Sequence, residues 1–220
     1  MPTRDKYLLI DTETCNSLEC PLQYNFAGAI IDQHGEVYER GSFLNMDVFA
    51  GERELMQTAY YADKIPQYVE QLRDGSITPS DSYLIRRWVR EMCAKWDVKA
   101  IIAHNMRFDY RSCTTTQRYM TKSKCRFFFP KGIPLWDTMK MAQDVIVPKP
   151  TYRQFCKDNG FICKNGQVRK TAEVLYRYIT QDEEFVEEHK AMEDVDIECQ
   201  IFWYCMRQHK AMRRNAFGEG

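Results

Sequence analysis

Net charge is the first thing missing: 31 basic residues balance 31 acidic ones over 220 positions. No global field would hold such a chain on nucleic acid or on an anionic membrane. Its longest apolar runs fall far short of the roughly twenty residues that span a bilayer. The opening Met1-Pro-Thr-Arg-Asp-Lys6 has no apolar leader. We therefore expect a soluble, cytoplasmic protein with no membrane contact. Nine cysteines are present, but the number is odd and none forms a CxxC pair. Reduced thiols fit that pattern better than a disulfide framework. Cys156 and Cys163, or Cys199, Cys205 and His209, are too loosely spaced for a structural zinc site, and the last three fall in a helical pattern that buries thiols. Repeats, low-complexity tracts and linkers are also missing, which leaves a single domain over 1–220.

What the chain does have is a set of carboxylates in distinct settings. Tyr7-Leu-Leu-Ile-Asp11-Thr-Glu13 is an apolar run of strand character ending in two acids two residues apart. Strand side chains alternate, so both acids project from one face. Clustered carboxylates raise one another's pKa unless a cation neutralises them, and divalent metals do that directly. Asp109 follows the short apolar strand at 99–104, where it hands over to a helix. Asp194 lies in the helical pattern running from His189 to Met206, and His189 precedes it by five residues. Phosphodiester hydrolysis needs an activated water, a positioned phosphate and charge stabilisation, and two metals about 4 Å apart supply all three. A neutral imidazole beside the water can take its proton. Five helical residues rotate by about 140°, so His189 cannot share a face with Asp194 if both are helical. It is expected on the loop or first turn leading into that helix, able to swing in when substrate binds.

The remaining pattern predicts an α/β fold. Strands at 6–11, 26–32 and 37–43 form a meander, the last two joined by the turn Asp32-Gln-His-Gly35. Residues 52–96 read as a helical insertion, with Leu84, Ile85, Trp88, Val89, Met92 and Trp96 forming an amphipathic stripe. A strand at 133–136 leads to a helix capped by Asp137 or Thr138, and a further helix is expected over 172–179. Asn165-Gly166 marks a basic hairpin at about 161–171, the expected flap. The tail from Arg213 is expected to fray.

Three motifs resemble, in order, those of the DnaQ-like, or DEDDh, 3′-to-5′ exonuclease family. They are Asp11-Thr-Glu13-Thr, His104-Asn105-Met-Arg-Phe108-Asp109 and His189-Lys-Ala191-Met-Glu-Asp194. Trp136-Asp137-Thr138 resembles the family's strand-to-helix step between the second and third. The resemblance implies a ribonuclease H-like fold, a mixed sheet of a three-strand antiparallel meander plus parallel strands, flanked by helices. It also implies two Mg²⁺ or Mn²⁺ ions held by Asp11, Glu13 and Asp194, with Asp109 completing the site directly or through water. His189 would be the general base, and the products nucleoside 5′-monophosphates. A sister group uses a tyrosine, and Tyr178-Ile-Thr-Gln-Asp182 has that spacing, but Tyr178 shares a helical stripe with Leu175 and Ile179. The histidine version is favoured. Cys15-Asn16-Ser17 stands where family members often carry Thr-Gly.

The implied substrate is the 3′ end of single-stranded DNA or RNA. Thr12, Asn16, Asn105 and Phe108 are candidate contacts to the terminal nucleotide, and Lys164, Arg169 and Lys170 to phosphates. The stretch from Arg107 to Lys131, with Arg111, Arg118, Lys122, Lys124 and Arg126, adds local positive charge, whereas Glu183, Glu184, Glu187 and Glu188 form an acidic run. Phe26, Tyr110, Tyr152 and Phe155 are candidate stacking platforms. Proofreading would need a polymerase or repair partner. The alternative reading is a catalytically silent nucleic-acid-binding or polymerase-accessory module of the same fold.

Overall fold

Strand β1 (Tyr7–Cys15) sorts its side chains onto two faces, because a strand's residues alternate. Tyr7 and Leu9 enter one core, and Leu8 and Ile10 enter another on the opposite face of the sheet. Strand β2 (Leu22–Ile31) is buried along its whole length, so it lies between layers. Asp32 turns the chain into β3 (Val37–Asn45) by accepting the N–H groups of His34 at 2.7 Å and Glu36 at 3.2 Å. The computed structural model describes residues 4–121, 127–186 and 189–218. Lys122, Lys124, Arg126, Glu187 and Glu188 lie outside them.

After β3 come α1 (Met46–Phe49), α2 (Arg53–Met56), a 3₁₀ turn at Ala62–Lys64, α3 (Ile65–Asp74), β4 (Thr78–Ser80) and α4 (Ser82–Lys95). The second half alternates β5 (Ala100–Ala103), α5 (Met106–Met120), β6 (Leu135–Asp137), α6 (Thr138–Val145), α7 (Pro150–Asp158), α8 (Ala172–Thr180) and α9 (Ala191–Arg207). Among the described residues the sheet runs β4-β3-β2-β1-β5-β6, with β1, β2 and β3 antiparallel and β4, β5 and β6 each parallel to its inner neighbour. This is the expected mixed ribonuclease H-like sheet. Helices α6 to α9 pack on one face and α4 and α5 on the other. A third apolar cluster, with Tyr24, Leu44, Met56, Ala59 and Tyr68, anchors the insertion beside the sheet.

Four local features depart from the sequence expectations. The 52–96 insertion is not wholly helical, because Thr78-Pro79-Ser80 adds the edge strand β4. Pro79 is tolerated there since an edge position can lack a donor. The basic hairpin is minimal: Ile162 and Val168 form one bridge and Gly166 takes φ +78° in the turn. Helix α7 was unanticipated, and it buries Tyr152 completely. The tail does not fray at Arg213. Asn215 bridges Trp136, Ala216 donates its N–H to Leu135 and Arg213 pairs with Asp144, because the open edge of β6 offers backbone partners.

Candidate active site

The acids meet where β1 outruns its neighbour. Parallel pairing with β5 covers only Tyr7 to Leu9, so the strand beyond, carrying Asp11 and Glu13, borders a crevice at the carboxyl ends of β1 and β5. A register shift between Glu13 and Thr14 follows at once. Such bulges re-aim side chains beside functional sites. Asp11 and Glu13 share the face of Tyr7 and Leu9, which α9 covers, and α9 brings Asp194 to them. One carboxylate oxygen from each of Asp11, Glu13 and Asp194 lies within 4.8 Å of the others. Among the described residues this is the one such group with metal-ligand spacing. Asp109 lines the same cleft of about 280 Å³, with His104, Asn105, Phe108, His189 and Glu198.

Asp109 is held from behind. Thr12 points to the face of Leu8 and Ile10, and its hydroxyl donates to Asp109 Oδ1 at 2.9 Å and lies 2.9 Å from Ser112 Oγ. Burial, then the nearby Asp11, pushes the Asp109 carboxyl well above the usual carboxylate range. Glu198 behaves alike, through burial and then Asp11, Asp109 and Asp194. So many acids packed together suit a cation.

The strand ends are tied into this arrangement. His104 Nε2 lies 3.0 Å from the Lys170 carbonyl, which can only accept, so this nitrogen carries the hydrogen. Nδ1 accepts from the Thr138 hydroxyl at 2.9 Å, and burial lowers the pKa, giving a neutral ring. Asp137 caps α6 through Met139 N–H and also accepts the Asn105 N–H at 3.1 Å. That bond supports Asn105 in a left-handed conformation of φ +68°. The strand-to-helix step at Trp136-Asp137-Thr138 thus acts as a clasp between β6 and the second motif.

His189 stands outside α9, as the rotation argument requires, with φ +53° and Lys190 at the helix cap. Burial and then Lys64 push its pKa below the ordinary histidine value, opposed by Glu173. Tyr178 is elsewhere: its hydroxyl bonds Thr151 at 2.7 Å and its ring packs on Tyr152 and Phe155. Asp196 pairs with Arg40 and Glu193 with Lys190, and of these three neighbouring acids Asp194 is the one that lines the cleft.

No protein-family model and no curated protein matches the chain. Solved structures do. A full-length 3′-exonuclease superposes with a TM-score of 0.56 at 11% identity, covering 96% of this chain and 64% of that one. Cell-death related nuclease 4 gives 0.54 at 11% identity, with 97% and 67% covered. Exonuclease I of E. coli, bound to an oligonucleotide, gives 0.51 at 15% identity, with 89% and 39% covered. The chain has the fold of the 3′-exonucleases. It spans about two thirds of the first two structures and two fifths of the third.

Within this exonuclease fold, several expected substrate contacts are placed otherwise. Thr12 lies in the cleft lining but turns its hydroxyl to Asp109. Asn16 donates to Cys20 through its side chain and to Thr58 through its backbone, outside the cleft lining. Lys164 and Arg169 are exposed on the 161–170 loop, and Lys170 bonds Gln143. Phe26 and Tyr152 are core residues with no exposure, and Tyr110 and Phe155 pack against Phe129 and Tyr152, so none of the four is an open platform. Thr12, Asn105 and Phe108 do line the cleft. Sequence reasoning missed Glu198, although its position four residues after Asp194 puts both on one helical face.

Proposed function

We propose that this chain is a metal-dependent 3′-to-5′ exonuclease that hydrolyses single-stranded DNA or RNA ends to nucleoside 5′-monophosphates. The observation that carries the reading is the Asp11, Glu13 and Asp194 trio, with Asp109 and His189 in the same cleft. Mg²⁺ or Mn²⁺ held by these acids would supply positive charge to the phosphate and make the attacking water more acidic. His189, neutral at working pH, accepts the proton of that water. Asp109 is kept in place by Thr12, and the floor is braced by the His104 and Asp137 clasps. Asn105 and Phe108 are the candidate contacts to the terminal nucleotide, while Lys164 and Arg169, exposed on their loop, meet phosphates further along. A polymerase or repair partner would set the pathway.

The test is shortening of 5′-labelled single strands of DNA and RNA, with release of mononucleotides, in Mg²⁺ or Mn²⁺. Wild type is expected to act on at least one, and Asp11→Ala and His189→Ala to lose at least about 100-fold in rate. Cutting of circular strands would refute the exonuclease reading. An inert wild type under all conditions would favour the silent module.

A further inference from the structure

The insertion delivers an aromatic ring to the proposed base. Tyr61 stacks on the imidazole of His189 with centroids 4.3 Å apart and planes 14° from parallel. Tyr60 meets the Tyr61 ring edge-on at 4.8 Å, and Lys64 Nζ lies 5.1 Å from its centroid. The segment bearing Tyr61 is fastened down: Met56 and Ala59 are buried in the cluster with Tyr24 and Tyr68, and Thr58 Oγ1 accepts the Asn16 N–H at 2.8 Å. His189 itself precedes α9 in a left-handed conformation, where no helical turn orients its ring.

We propose that Tyr61 is the positioning residue for His189, holding the imidazole by its face so that its edge is presented to the acidic cleft. The inference rests on the reading of His189 as the base. A stack occupies the faces of an imidazole and uses up neither ring nitrogen. It also removes rotational freedom that a side chain on a loop would otherwise keep, and so raises the fraction of molecules poised to accept a proton. Lys64, over the Tyr61 ring, disfavours a second positive charge on the neighbouring imidazole, which keeps His189 neutral against the pull of Glu173 and of the cleft acids Asp11, Glu13, Asp109, Asp194 and Glu198.

The experiment compares Tyr61→Leu and Tyr61→Phe with wild type and His189→Ala by steady-state kinetics on the strands cleaved by wild type. In parallel, the His189 ring C–H resonances are followed in metal-free protein, assigned by their loss in His189→Ala. Stacking places these protons over a ring current, so they should lie upfield in wild type and in Tyr61→Phe. Tyr61→Leu should return them downfield and lower kcat roughly tenfold, with KM within about twofold. Tyr61→Phe should restore most of kcat, which a loss of folding in the Leu variant could not mimic. Wild-type kcat in Tyr61→Leu, or a raised KM with kcat unchanged, would overturn the proposal, as would wild-type resonances in that variant. Full activity in His189→Ala would instead remove the base assignment, and the resonances would then decide the stack alone.

Discussion

Glu198 is a fifth acid in the cleft, and its buried carboxylate accepts the His104 N–H at 2.9 Å. Its pKa is raised on folding, so the native state binds its proton more tightly than the unfolded chain, and stability falls as pH rises above the ordinary glutamate value. In metal-free protein, Glu198→Gln should therefore melt higher than wild type at pH 7, by on the order of 1 kcal/mol. The gap should close below about pH 4, where glutamate is protonated in both states. Thermal melts at the two pH values check this, and Mg²⁺ or Mn²⁺ should narrow the gap at pH 7 by stabilising wild type. His189 carries the opposite shift. Protonated, it cannot accept a proton, and its lowered pKa keeps it neutral in more acidic solution. The acid limb of kcat/KM should fall below the ordinary histidine value of about 6.5, and Lys64→Gln should move it upward. A limb unmoved by that change would separate Lys64 from the base.

At the scale of elements, the meander is fitted to α4. Gly28 pairs with Gly41 across β2 and β3, and Trp88 fills the space that two side chains would take. A Cβ on Gly41 would stand 2.7 Å from both the Trp88 and Phe43 rings. Gly41→Ala should cost roughly 1–3 kcal/mol in denaturant unfolding, while nuclease rate at low temperature stays at wild type. The long amphipathic stripe of α4 was legible because a fourteen-residue helix repeats its pattern several times. Its cap at Asp81, which accepts the Leu84 N–H at 2.7 Å, repeats the same logic. Strand β4 and helix α7 were not legible. Strand β4 has three residues, and α7 opens on Pro150, which reads as a breaker although proline suits a first helical turn.

For the whole molecule, zero net charge leaves substrate capture to local groups. Part of the basic stretch is committed internally: Arg107 bonds the Ala216 carbonyl and Arg111 that of Leu18. Lys164 and Arg169 remain exposed on a loop whose last residue is tied to His104. A Lys164→Ser, Arg169→Ser double variant should raise KM, leave kcat in place, and reduce the slope of log affinity against log salt by about 0.7 per lost contact to a single strand. An unchanged slope would take the loop away from the substrate path. No helix among the described residues is long and apolar enough to cross a membrane.

The sequence by itself determined the chemistry on offer, because strand alternation put Asp11 and Glu13 on one face and helical rotation excluded His189 from the face of Asp194. Both are local geometric rules, readable without knowing where any element packs. Tertiary structure alone decided which residues meet. It turned Thr12 inward to Asp109, brought Glu198 into the acid cluster, buried Phe26 and Tyr152, and laid Tyr61 on His189. Those contacts join residues far apart in the chain through the packing of α5, α9 and the insertion on one sheet, and no local pattern encodes such distances.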